Sequence, residues 1–231
     1  MTKLALISFV LTSVPLAAIA QPKKEPLPKP VPTGTVTGTV KVTDDGKDVS
    51  GTEVVVWVVG PPTAPGPDKV TATIKQTNDK RFVPDLVAIT AGERVEFPNT
   101  GATLHNVFSQ KPKFDLGSFE QNKTKSQQFK DPGTSEIYCN IHPEMVATVV
   151  VVPHSYHASV DKNGKFTIPN VPPGKWKLFG YTRRAAKPVF AEIVVTADGT
   201  TTQPLTIPRG AETKHLNKFG TDYQKGGGYP K

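Results

Sequence analysis

Sulfur is scarce in this chain: one cysteine and two methionines stand among 231 residues. A single thiol excludes an internal disulfide framework and any zinc site built from several thiolates. Beyond the first twenty residues, no apolar run approaches the roughly 20 residues that a membrane-spanning helix needs. No convincing helix and no internal repeat is present. Glycine signatures for flavin or nicotinamide, a Ser/His/Asp arrangement and a recognisable carboxylate pair are all missing, so the expectation is a protein that is not an enzyme.

Proline and glycine are plentiful, at 23 and 19 residues. Together with abundant Val and Thr they favour short strands joined by turns, and so an all-β fold. At about 100 to 150 residues per domain, the length suits two modest domains.

The first twenty residues read as an export signal. Lys3 gives a positive start, Leu4–Ala18 is uncharged and apolar, and Ala18-Ile19-Ala20 places small residues where a signal peptidase cleaves. A periplasmic or secreted protein, cleaved after Ala20, is the expectation. Residues 21–33 (QPKKEPLPKPVPT) form a Pro-rich spacer.

Strand signals then change character twice. Thr35–Thr43 and Glu53–Val59 suggest a small hairpin-like unit ending at Gly60-Pro61-Pro62. A denser β series follows from Val70 to Val152, spaced as in a sandwich or barrel. After Pro153 come four more strand candidates, from Lys165 to Ile207, separated by Asp161-Lys162-Asn163-Gly164, Val171-Pro172-Pro173-Gly174 and Asp198-Gly199 turns. The tail from Glu212 lacks apolar periodicity and is expected to be loose.

The formal charge is +8, and residues 153–231 hold most of the excess, with 12 basic against 5 acidic side chains. Export, the absence of a nucleic-acid motif and the scatter of the lysines argue against nucleic acid. A solvated face, or a basic face that docks an acidic redox partner or an anionic surface, fits better.

Cys139 has His142 three residues on and Met145 three beyond that. With 5 His and 2 Met in the chain, chance placement at those offsets is roughly 2 in 10,000 by composition. Thiolate, imidazole and thioether in one short loop are copper ligands, the soft sulfur holding Cu(I) and the methionine serving as a weak axial ligand. A second imidazole is needed, and His105 in NTGATLHNVF is the candidate. His154, His157 and His215 are poorer ones, the first two at the edge of the β series and the third in the tail. Zinc suits one Cys and two His but leaves Met145 without a role.

These residues resemble a known family. VEFPNTGATLHNVFS (95–109) and IYCNIHPEM (137–145) are similar to the two ligand-bearing segments of the cupredoxins, the small blue-copper proteins that include plastocyanin, pseudoazurin and amicyanin. The resemblance implies a Greek-key β-sandwich over residues 69–152 holding one type 1 copper ion. His105, Cys139 and His142 would be equatorial ligands and Met145 axial. Asn106 would turn its backbone amide to the Cys139 sulfur. His142 with Pro143 would be the electron port, and Tyr138 a second, more remote exit, although it reads equally well as an edge-strand aromatic. Two departures stand out: Gly101 sits where many relatives have an acidic residue, and Val146-Ala147 replaces a common glycine.

GTVTGTV (34–40), VVVWVV (54–59) and DKNGKFTIPNVPPGKWKL (161–178) resemble the carboxypeptidase regulatory-like modules, which are transthyretin-like sandwiches. That resemblance implies a discontinuous domain over 34–68 and 153–210 with the copper domain inserted, followed by a flexible tail at 211–231. The alternative is two half-formed pieces around an independent domain.

Three functions suit these sequences. One is electron transfer between redox partners such as a cytochrome c and a periplasmic dehydrogenase. The second is copper sequestration or delivery, and the third an envelope-associated binding module with a structural copper site.

Overall fold

The computed structural model describes residues 31–49 and 51–223, which contain strands and no helix. The expected export signal, most of the spacer and the last eight residues lie outside the described residues. Val- and Thr-rich segments broken by turn residues satisfy their backbone groups by pairing with one another.

The strands fall into three runs. The first holds β1 (Gly34–Asp44), β2 (Lys47–Asp48) and β3 (Val55–Val59). The second begins with β4 (Val70–Thr73), β5 (Lys75–Gln76), β6 (Phe82–Val83), β7 (Leu86–Thr90) and β8 (Arg94–Pro98). It continues with β9 (His105–Gln110), β10 (Lys113–Phe119), β11 (Thr124–Gln128), β12 (Gly133–Tyr138) and β13 (Val146–Val152). The third holds β14 (His157–Ser159), β15 (Lys165–Val171), β16 (Gly174–Tyr181), β17 (Val189–Val195), β18 (Thr200–Thr202) and β19 (Leu205–Arg209).

The first and third runs interleave. β1 pairs antiparallel with β15 and β2, and parallel with β18 and then β19. Gly38 lies where β1 passes from β18 to β19, and a Cβ there would stand 2.0 Å from the Gln203 carbonyl oxygen. The opposing sheet has the order β14-β3-β16-β17. β1 and β3 therefore face each other across a core instead of forming the expected hairpin. Each carries apolar residues on the face that a neighbouring sheet must cover.

The second run makes an inner sandwich. One sheet has the order β10-β9-β12-β13-β7, with β13 and β7 parallel, and the other has the order β11-β8-β4. Between Val70 and Gln76 the strand breaks at the buried Ile74, so that β4 pairs with β8 and β5 with β6. β10 had no signal in the sequence, and Gly117 within it takes a φ of 71°.

Two hydrophobic cores share strands. Val149, Val151, Val87 and Ile89 point into the inner sandwich, while Val150, Val152 and Leu86 pack into the core of the flanking one. All seven residues of β13 are buried for that reason. Glu53 adds a polar tie: its Oε2 accepts from the backbone amides of Asp85 (2.5 Å) and Leu86 (2.9 Å).

Candidate metal centre

An antiparallel pair places the start of one strand beside the end of its neighbour. β9 begins with His105, and its neighbour β12 ends at Tyr138, one residue before Cys139. The loop from Cys139 to Met145 then leads directly into β13. Topology thus brings to one end of the inner sandwich residues that lie far apart in the chain.

The candidate donor atoms converge. His105 Nδ1 and His142 Nδ1 are 3.1 Å apart, and Cys139 Sγ lies 3.8 Å from His142 Nδ1. All three donor atoms lie within 4.8 Å of one another. His105, Cys139 and Met145 are fully buried, and His142 is partly exposed. Met145 closes the loop, donating its amide to the His142 carbonyl (3.1 Å) and accepting from the Cys139 amide (3.3 Å).

Cys139 Sγ accepts from two backbone amides, those of Asn106 and Ile141, each at 3.4 Å. Asn106 is the residue expected in that place, and its side chain extends the network. Its Nδ2 donates to Asp115 Oδ1 (2.8 Å), and its Oδ1 accepts from the Asn140 amide (3.1 Å). Such supports hold ligands in position.

The loop before His105 is equally constrained. Asn99 Nδ2 donates to the carbonyls of Thr103 and Phe119, both at 2.9 Å, and Asn99 Oδ1 accepts from the Gly101 amide at 3.0 Å. A Cβ at Gly101 would lie 2.9 Å from the Thr77 carbonyl oxygen and 3.1 Å from His105 Nε2. A side chain at position 101 would have to displace one of these neighbours.

Burial governs the electrostatics. It lowers the basicity of His105, helped by the neighbouring His142, and it lowers that of His142, helped by Lys80. It pushes the Cys139 thiol up, against the pull of the amides around the sulfur. Neutral imidazoles suit metal ligation as they stand, whereas the thiol gives up its proton on binding a metal.

The remaining sequence-predicted residues are placed as follows. Pro143 is exposed beside His142. Tyr138 is half-buried, and burial pushes its hydroxyl up to about 12. Its ring is stacked on His215 at 4.1 Å between centroids. His154 and His157 are not in the His105–Cys139–His142 group. His154 is buried against Tyr156 instead, and His157 Nε2 stands 3.4 Å from Thr90 Oγ1.

Residues 212–223, where a loose tail was expected, make specific contacts with the sandwich. Besides the stacking of His215, Tyr223 Oη donates to the Cys139 carbonyl at 2.9 Å, and Lys218 Nζ contacts Asp115 Oδ2 at 2.7 Å. Sequence reading missed Asp115, Lys218 and Tyr223. They lie in segments whose order comes from contacts with distant strands, so no periodic pattern marks them.

Comparison with known proteins gives partial likenesses. A family model described as polysaccharide lyase family 4, domain II, matches residues 153–203, where a carboxypeptidase regulatory-like module was expected. No curated protein sequence matches the chain. Among solved structures, a purple cupredoxin from Nitrosopumilus maritimus is 23% identical over 35% of this chain and 99% of its own, with a TM-score of 0.33. A reduced amicyanin variant is 18% identical over 42% of this chain and 98% of its own, at a TM-score of 0.34. A copper-containing nitrite reductase from Thermus scotoductus is 22% identical over 42% of this chain but only 25% of its own, at 0.34.

Proposed function

We propose that this chain is an exported blue-copper protein that carries single electrons between redox proteins, and that it is a carrier and not an enzyme. The observation behind this reading is the buried convergence of two imidazole Nδ1 atoms and one thiol within 4.8 Å, with Met145 closing the same loop. A sulfur, two imidazoles and a thioether are a donor set that suits copper in both its oxidation states. His105, Cys139, His142 and Met145 would hold one copper ion, which would supply a one-electron Cu(II)/Cu(I) couple there.

The chain's own residues do the rest. Burial of His105, Cys139 and Met145 keeps water from the ligand atoms. The Asn106 and Ile141 amides point at the sulfur and stabilise its anionic form. His142 is the ligand that reaches the surface, so its edge, with Pro143 beside it, is where a partner such as a cytochrome c or a periplasmic dehydrogenase would dock.

The Cu(II)-loaded protein is expected to show an intense visible thiolate-to-copper band and reversible one-electron voltammetry. Cys139→Ser should abolish the band, and Met145→Leu should shift both band and potential. A protein that stays colourless in air while holding Cu(I) would support copper delivery instead. An unchanged spectrum in Cys139→Ser would overturn the assignment. Export predicts a mature chain that begins at Gln21, which mass spectrometry of the secreted protein would read.

A further inference from the structure

The segment after β19 ends on the candidate ligand loop and on the network behind it. His215 Nε2 donates to the Pro143 carbonyl at 2.8 Å, and its ring covers Tyr138. The Lys218 amide donates to Asn140 Oδ1 at 3.0 Å, and Tyr223 Oη donates to the Cys139 carbonyl at 2.9 Å. Lys218 Nζ also reaches Asp115, which holds the Asn106 side chain and so the amide that faces the Cys139 sulfur.

The segment is itself organised. Asn217 is buried, and its Oδ1 accepts from the amides of Phe219 (2.9 Å) and Thr221 (3.2 Å). Its Nδ2 donates to Thr221 Oγ1 (2.9 Å) and to the Asp222 carbonyl (3.1 Å). A second anchor joins it to the sandwich, where Gln110 Nε2 donates to the Asn217 carbonyl at 3.0 Å. This is a knotted turn pinned to strands, not a strand end brushing past.

We infer that residues 215–223 are a clamp that holds the 139–145 loop in its ligating shape before a metal arrives, with His215, Lys218 and Tyr223 as positioning residues. The inference rests on reading 139–145 as a ligand loop. A short loop with few backbone bonds of its own would otherwise open on its own timescale, exposing its amides and the thiol. Outside bonds to the Cys139 and Pro143 carbonyls and the Asn140 side chain restrain three of its seven residues. The same segment closes the Tyr138 flank, leaving the His142 edge as the open approach.

The test uses the full-length, metal-free protein and its His215→Ala/Tyr223→Phe variant. Two rates are measured: alkylation of Cys139 by iodoacetamide, and hydrogen exchange at the amides of Asn140, Ile141 and Met145. Two lost hydrogen bonds of ordinary net strength predict roughly ten-fold faster alkylation and loop exchange. Amides of Val149 and Val151 should keep their protection. Loop rates that stay at the parent values would overturn the clamp. So would a loss of protection spread evenly into β13, because a clamp acts on the loop alone. Tyr223→Phe by itself, which keeps the ring, should give a smaller acceleration of the same kind.

A spectroscopic readout separates positioning from mere stability. With copper loaded, Lys218→Met should displace the thiolate-to-copper band, and Lys218→Arg should bring it back, because arginine restores a cation beside Asp115 and over the Phe219 ring. If the intact chain binds no copper while the substitutions still release the metal-free loop, the proposed function fails and the clamp stands. If the blue band forms and the loop rates do not change, the reverse holds.

Discussion

The carboxyl group of Glu53 is pulled two ways. Burial and the adjacent Asp85 push it up to about 7, while the Asp85 and Leu86 amides bonded to it favour the ionised form. Because the folded protein binds that proton more tightly than the unfolded chain, the contribution to stability is complete below about pH 4.5 and fades as pH rises through about 7. From this half-buried group, with solvent screening part of the effect, the protein is expected to lose about 1 to 2 kcal/mol between about pH 5 and pH 8. Glu53→Gln should flatten that slope, and urea midpoints for both proteins at the two pH values would measure it. A slope unchanged by the substitution would place the pH dependence elsewhere. Glu53 was legible in the sequence only as the first residue of a strand. Its partners come from 32 and 33 positions away, a distance that no local pattern spans. The candidate ligand residues differ in the same respect: Cys139, His142 and Met145 announce themselves by spacing, whereas His105 depends on β9 lying beside β12.

At the scale of elements, β13 shows how one apolar run serves two cores. Its sequence, VATVVVV, reads as a strand, and a run without alternation is consistent with burial on both faces. Which neighbours fill those faces is a tertiary matter: Val149 packs inside the inner sandwich and Val150 against the flanking one. Val149→Ala and Val150→Ala are each expected to cost about 1 to 3 kcal/mol, from lost burial and the cavity left behind. Chemical denaturation would read both. A Val150→Ala protein as stable as the parent would show that the face toward the flanking sandwich carries no packing energy. The clamp is the opposite case, an element without periodicity whose structure comes from Asn217 and from bonds to strands laid down a hundred residues earlier.

For the whole molecule, the core shared by the two sandwiches decides how it unfolds. Leu86, Val150 and Val152 of the inner sandwich belong to the flanking core, and Arg183 pairs with Asp85 at 2.9 Å and with Glu212 at 2.5 Å. Arg184 and Arg209 both engage Asp44, each at 3.1 Å, so these arginines are committed within the fold. Surface ion pairs contribute little, about 0 to 1 kcal/mol each; the buried apolar contact dominates. A core shared in this way predicts one cooperative transition for the metal-free protein, with calorimetric and van't Hoff enthalpies in agreement. Two separated calorimetric peaks would show instead that the sandwiches fold independently.

The amino-acid sequence by itself determined the all-β character, the turns and the identity of the candidate loop ligands. Those properties depend on residue type and on neighbours a few positions away, where chain geometry is fixed. Only the tertiary structure decided that His105 meets the sulfur, that β1 and β3 face each other across a core, and that the last segment grips the loop. Each of these joins groups separated by tens to hundreds of residues, and their meeting depends on which sheet faces found cover.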